Sequence, residues 1–485
     1  MEDGNLDFHC LSWVDPIGRL FWKDGNLYRG IRQPRAGLYR DLLAEGFIRE
    51  LVDRQLLVDT WATEWTTSEF PLIVRHRVLP VVSFVSEWCG SQLKAAALSI
   101  LELELALRPR GLTLRDINPW NLLFDGVHPL YVDFSSIAPL PDQDYWASIN
   151  EFNEFYLYPL LLFEHGLSRV ARRLLCDPWT GIKANDLQLM GILPKPRRSQ
   201  RDVAYSKAKQ LGGALIPPAL RPIVKQSARV ILNLSRRDHD STDTVSQIMA
   251  LRDRVTKLAV TGPQTQWAGY YENNFPDFTP SKKWTSKHHS IYSVIGEVKP
   301  QTLLDIGANR GWYSQMAASR GVRVIAADSD ETSINELYSD AKTAKLGIHS
   351  VFMDIRFPEP AQGPGYKLFE SAAQRFKSDM VLALAIVHHM TFAWDMSFQQ
   401  TVENLAMFST KWLVVEFIGR NDPAVQRLWK SKLSSSPWYN LETFKAALGR
   451  HYTIVKQVPS DSGGLDLIDY GPDDRTILVC QKKTA

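Results

Sequence analysis

Two acids and a glycine turn between them are the residues of this chain best spaced to do chemistry. The apolar run Thr302 to Ile306 reads as a buried parallel strand that stops at Gly307. A helix-like segment, Trp312 to Ser319, follows the turn Gly307-Ala308-Asn309-Arg310-Gly311. Strand, glycine turn and helix together aim backbone N–H groups at a polar or anionic ligand. A second strand, Val322 to Ala327, ends in Asp328, 23 positions after Asp305. That is close to the roughly 20 residues expected for a carboxylate that reaches a ribose hydroxyl. The pattern predicts a nucleoside-binding half-fold, with Asp305, Gly307, Ala308, Asn309, Gly311 and Asp328 around the ligand. A dinucleotide fingerprint needs a middle glycine for backbone to approach a pyrophosphate. Asn309 stands there instead; it can still turn in the left-handed region, but the dinucleotide spacing is missing.

Further polar groups fall at strand ends. A third strand, Ser350 to Met353, ends in Asp354, which can accept from an adenine amino group while Met353 or Ile355 packs on the ring. A fourth, Met380 to Val387, carries Ala385 near its end and runs into His388-His389; a fifth, Trp412 to Val415, ends in Glu416. Ligands of open parallel sheets sit outside the carboxyl ends of the strands. The paired histidines have no third metal ligand at recognisable spacing, so no metal is expected.

A second constellation lies in the N-terminal third. Asp116-Ile117-Asn118-Pro119-Trp120-Asn121 is followed by a turn at Asp125-Gly126, a strand Leu130 to Val132, and Asp133. This resembles the catalytic core of kinases, most of all small-molecule phosphotransferases. The resemblance implies Asp116 as base, with Asn121 and Asp133 as oxygen ligands of magnesium. No glycine-rich phosphate loop precedes residue 60 and no V-A-I-K-like lysine follows the first hairpin; Arg29 is the nearest cation. Residues 1–185 are therefore expected to form a degenerate kinase-like α+β domain in which Mg-ATP lacks its cover and its lysine, while a nucleotide- or substrate-binding role stays open.

The remaining elements must carry these residues. At 485 residues, two or three domains are expected. A net charge of +3 is too small to argue for a nucleic-acid partner. Cys10, Cys89, Cys176 and Cys480 are scattered, which suits a reducing cytosol rather than a disulfide framework or zinc site. The acidic N-terminus lacks a signal core, and the greasiest run, Tyr156 to Phe163, is too short for a bilayer, so a cytoplasmic protein with no membrane partner is expected. A β-hairpin turns at Asp24-Gly25, helical periodicity covers 38–56 and a long helix runs from about Gln92 to Leu107. The basic stretch from Pro194 to Arg237 reads as a solvated linker, and Ile248 to Leu258 as a connecting helix, within a region 186–263. Residues 264–485 hold the nucleoside half-fold, Asn440 to Leu448 as a helix, and Tyr452 to Val455 and Thr476 to Gln481 as closing strands. The aromatic stretch Trp267 to Tyr271 can lid the ligand, Tyr271 touching it; Lys287-His288-His289 lies on the helix before the first strand.

Residues 265–485 resemble class I S-adenosylmethionine (SAM) methyltransferases, through Asp305-x-Gly307-x-Asn309-x-Gly311 and the strand-end acids. More narrowly, the whole chain resembles bacterial nodulation-protein-related methyltransferases. The likeness rests on Phe21 to Arg29, Glu87 to Lys94, Trp267 to Tyr271, Leu382 to His389, Val415 to Gly419 and Asp422 to Gln426. It implies a mostly parallel, seven-stranded Rossmann-like sheet, SAM as cofactor, and O- or N-methylation of a small-molecule acceptor. If the acceptor is a hydroxyl or ammonium, His389, or secondly His388, is the expected base, with Glu416 orienting one of them; alternatively one ring packs under the adenosine and the other caps the strand. Two rival readings remain: a bifunctional kinase–methyltransferase, and a non-catalytic SAM-sensing scaffold. Nothing in the sequence sets an oligomeric state.

Overall fold

The structure, a computed structural model, describes residues 6–12, 15–141, 146–194, 243–260, 262, 265, 277–461 and 474–483. The basic stretch from residue 195 onward and the aromatic stretch 267–271, with the expected cofactor contact Tyr271, lie outside the described residues.

In the N-terminal half, the Asp24-Gly25 turn closes the hairpin of β2 (Gly18–Lys23) and β3 (Asn26–Ile31). Together with β1 (Asp7–Phe8), β4 (Thr60–Ala62) and β5 (Leu72–His76) they form an antiparallel sheet in the order β1-β2-β3-β5-β4. The helix expected over 38–56 is two helices, α1 (Ala36–Ala44) and α2 (Phe47–Asp53), because Gly46 turns with φ +76° between them. Helix α3 (Gly90–Leu107) packs on the strands and helices that follow it. Two short hairpin-like pairs follow, β6 (Leu112–Leu114) with β9 (Ile137–Pro139), and β7 (Leu122–Asp125) with β8 (His128–Tyr131). Helices α4 (Ile149–Phe152), α5 (Tyr158–Glu164), α6 (Ser168–Leu175) and α7 (Ala184–Leu189) complete this half, and α8 (Thr244–Lys257) returns to pack on α3.

The C-terminal half opens with α9 (Ser286–Val298), capped by Thr285. The double-sided apolar runs become the parallel strands β10 (Thr302–Ile306), β11 (Arg323–Asp328), β12 (Ile348–Phe352), β13 (Ser378–Ala383) and β14 (Ser409–Ile418). Strands β15 (Tyr452–Pro459) and β16 (Arg475–Lys482) add antiparallel, giving seven strands in the order β12-β11-β10-β13-β14-β16-β15. The order reverses between β10 and β13, and such a switch point is where doubly wound sheets bind ligands. The sheet is flanked by α10 (Trp312–Ser319), α11 (Glu331–Thr343), α12 (Ala372–Arg375), α13 (Val387–Phe392), α14 (Phe398–Ala406), α15 (Pro423–Ser434) and α16 (Leu441–Leu448).

Two strand ends differ from expectation where it matters for the site. The fourth stops at Ala383, and Ala385 turns with φ +54°, so His388 and His389 ride on the short helix α13 rather than ending a strand. An unbroken apolar run does not distinguish buried strand from buried helix, and Met380 to Val387 contains both. The fifth strand runs on to Ile418, which puts Glu416 inside it. No helix among the described residues is long and apolar enough to cross a membrane.

Candidate functional site

The turn after β10 is built as the glycines require. Gly307, Asn309 and Gly311 have φ of +74°, +52° and +73°. A Cβ on Gly311 would come within 2.5 Å of Leu337, so this glycine also lets α10 close on α11. The amides of Gly307 and Ala308 donate to the carbonyl of Ala327, tying the turn to the end of β11. Asn309 N–H donates to Asp328 Oδ2 at 2.7 Å, and Asp330 N–H donates to Oδ1 at 2.9 Å. Asp328 is thus fixed beside the glycine turn. Burial pushes its carboxyl up to about 6. Asp305 lies one layer deeper, accepting from Ser314 Oγ at 2.7 Å, and burial likewise raises it to about 6.

On the neighbouring side, Met353 N–H donates to the carbonyl of Asp328, which brings the end of β12 against the same turn. Met353 and Ile355 are buried there. The Asp354 carboxylate is already held by Arg356, at 2.6 Å from Nη2, so it can reach an adenine amino group only as a shared acceptor.

Beyond the switch point, the His388 and His389 rings lie 4.3 Å apart between centres, tilted by 41°, and Trp429 stands edge-on to both, at 5.3 and 5.0 Å. Trp429 leaves helical geometry within α15, with φ −133° and ψ 23°. His388 is buried and its Nδ1 has no hydrogen-bond partner. Burial holds its ring neutral, with His389, Arg475 and Lys287 acting in the same direction. His389 is half-buried, and burial pushes it down to about 4.

Glu416 has a different role from the one expected. Its Oε2 accepts from Lys287 Nζ at 2.7 Å and its Oε1 from Ser460 Oγ at 2.5 Å, so both oxygens have partners other than the two histidines. Lys287 is 7% exposed and Glu416 0%. A buried pair of this kind is costly to break, because either partner alone is an uncompensated buried charge. Sequence reasoning noted Lys287 only as a neighbour of histidines. The available signal was a lysine in the first turn of a helix, where the macrodipole disfavours a cation and some specific partner is needed. Trp429 carried no signal; its kink depends on tertiary packing.

In the N-terminal half, Asp116, Asn121 and Asp133 do share one region, but Asp133 is taken. Arg29, buried on β3, lies 3.2 Å from Asp133 Oδ1 and 3.1 Å from Asp15 Oδ2, and donates to Ser135 Oγ at 2.5 Å. Ser135 Oγ in turn contacts both carboxylates, at 2.7 and 2.8 Å. A guanidinium therefore neutralises the acid that a kinase-like site would give to magnesium. Asp116 accepts from Asn118 N–H at 2.9 Å, which closes its own loop. It also faces Glu151, whose carboxyl is pushed up to about 7 by burial and then by the charge of Asp116. Among the described residues no group of three or more His, Cys, Asp or Glu could hold a metal ion. The full chain incubated with Mg-ATP and small metabolites is expected to show no rapid phosphoryl transfer. Turnover of about 1 per second or faster, the kinase range, would overturn this.

No family model matches the chain. It is similar to the nodulation protein NoeA of Rhizobium meliloti (strain 1021), 27% identical over 459 residues that cover 92% of both chains. Solved structures with some likeness include magnesium protoporphyrin IX methyltransferase of Synechocystis PCC 6803 with bound SAH. That match has 15% identity, a TM-score of 0.29, and covers 44% of this chain and 93% of that one. The bifunctional kinase-methyltransferase WbdD has 13% identity and a TM-score of 0.29, over 40% of this chain and 37% of that one.

Proposed function

We propose that the C-terminal half binds SAM at the carboxyl edge of its sheet and catalyses methyl transfer to the oxygen or nitrogen of a small-molecule acceptor. The observation that carries this reading is Asp328, held by the Asn309 and Asp330 amides beside a glycine turn at the switch point of a doubly wound sheet. The residues fit the cofactor. Asp328 presents acceptors to ribose hydroxyls, Met353 and Ile355 offer apolar surface to a base, and a Cβ on Gly307 would crowd Ile386 at 3.3 Å. When bound, SAM supplies a methyl group on a sulfonium. The chain's own part is to align the acceptor, exclude water and receive a proton where the acceptor carries one. His389 takes that proton, with His388 buried beside it and Trp429 forming a wall.

The N-terminal half acts as a support or a binding surface and not as a phosphotransferase, because Arg29 occupies the charge balance of Asp133. Titration calorimetry of the full chain tests the main reading: SAM and its demethylated product should both bind with heat, and Mg-ATP should not. Absence of SAM binding would overturn it. A pH series adds a second check. Asp328 accepts ribose hydroxyls best as the carboxylate, and its pKa is raised to about 6. SAM affinity is therefore expected to climb from pH 5 to pH 7 and then level off. An affinity flat across that window would mean that Asp328 does not touch the ribose.

A further inference from the structure

Helix α11, which begins three residues after Asp328, is anchored by the N-terminal half of the chain. Arg172 of α6 is 7% exposed and ion-paired with Glu331, itself 6% exposed, in the first turn of α11. The same guanidinium donates to the carbonyl of Ser86 at 3.1 Å and to that of Trp88. The free amides at the start of α3 complete the joint: Gly90 N–H donates to Glu331 Oε1 at 2.9 Å and Ser91 N–H to Asn335 Oδ1 at 2.8 Å. Only glycine fits at position 90, since a Cβ there would come within 2.8 Å of the Val260 carbonyl and 2.9 Å of Phe163.

The same stretch, residues 82–92, also grips the adenine side. Strand β12 is the edge of the parallel sheet, and an uncovered edge leaves backbone groups unpaired. Gln92 Nε2 donates to the Ser350 carbonyl of β12 at 3.0 Å, and Ser83 Oγ hydrogen-bonds His349 Nε2 at 2.9 Å. Glu87 pairs with Arg375 in a buried salt bridge, and Phe84 stacks with Trp120 against Phe369, in the segment that follows Asp354.

We propose that residues 82–92, with Arg172, form the outer wall of the cofactor site: the N-terminal half positions the loops that carry Asp328 and Asp354. This rests on the SAM-binding reading above. Arg172 and Glu331 are positioning residues; Arg172 acts through the α11 N-terminus on Asp328, not on the ligand.

Full-length Arg172→Leu is expected to raise the SAM dissociation constant about tenfold, the scale of coupling between neighbours in one network. Arg172→Lys, which keeps a cation beside Glu331, should recover most of that loss. Hydrogen exchange should show the amides of residues 328–331 less protected in Arg172→Leu when SAM is present. Lys94→Met is the control: it removes a different joint, from Lys94 Nζ to the carbonyls of Thr256 and Leu258 at 2.7 and 2.8 Å, and should leave SAM affinity unchanged even if it lowers Tm. Should Arg172→Leu fail to fold, Glu331→Gln keeps an acceptor for Gly90 while cutting the charge, and the same weakening is expected. Unchanged affinity in the Arg172 or Glu331 variant, or an equal loss in Lys94→Met, overturns the proposal. If the unaltered chain binds no SAM, the methyltransferase reading falls and takes this inference with it.

Discussion

His389→Ala is expected to slow methyl transfer to a hydroxyl or ammonium acceptor by about 10²–10⁴-fold, the usual share of a positioned base. Both histidines are neutral at pH 7, so either ring could accept a proton, and access decides between them. His388 is buried, whereas His389 is half-buried beside Trp429. An acceptor entering from solvent meets His389 first. Since burial holds His389 at about 4, it is unprotonated throughout the neutral range. The rate should therefore stay flat from about pH 8 down to pH 5, apart from the fall in SAM affinity, and saturating SAM removes that part. A kcat that falls around pH 6.5 with SAM saturating would point to a different, unperturbed group as base. SAM affinity should barely change in His389→Ala. If affinity and rate fall together, His389 is a cofactor contact, and the base lies elsewhere on the edge.

Asp328→Ala should weaken SAM binding by about 1.5–3 kcal/mol, the range for hydrogen bonds to a charged group. In affinity this is roughly 10- to 150-fold. The upper end is favoured because the carboxylate also organises its own surroundings. Without it, the amides of Asn309 and Asp330 lose their acceptor, and the turn that presents Gly307 and Gly311 loosens. Asp328→Asn separates the two effects: the amide oxygen can still accept from one backbone N–H, but it removes the charge and one acceptor site. It should fall between wild type and alanine. Calorimetric affinities equal to wild type in both variants would remove Asp328 from the cofactor site and leave the sheet edge without its ribose partner.

What the sequence determined by itself was local. Thr302–Ile306, the glycine turn and Asp328 are read correctly because strand, turn and acid are specified by neighbours within a few residues, by hydrophobic run length and by which residues tolerate positive φ. The same holds for the Asp24-Gly25 hairpin. Only the tertiary structure decided the rest. It ended the fourth strand at Ala383, because a run of apolar residues buried on all sides carries no period to separate strand from helix. It set Glu416 against Lys287, 129 positions away, and Arg29 beside Asp133 and Ser135, so that both acids are held in ion pairs. It joined the two halves through Arg172 and Glu331, 159 positions apart. Pairings at such separations are chosen by which surfaces meet when the halves pack, and a buried charge must find its partner there whatever its neighbours in sequence.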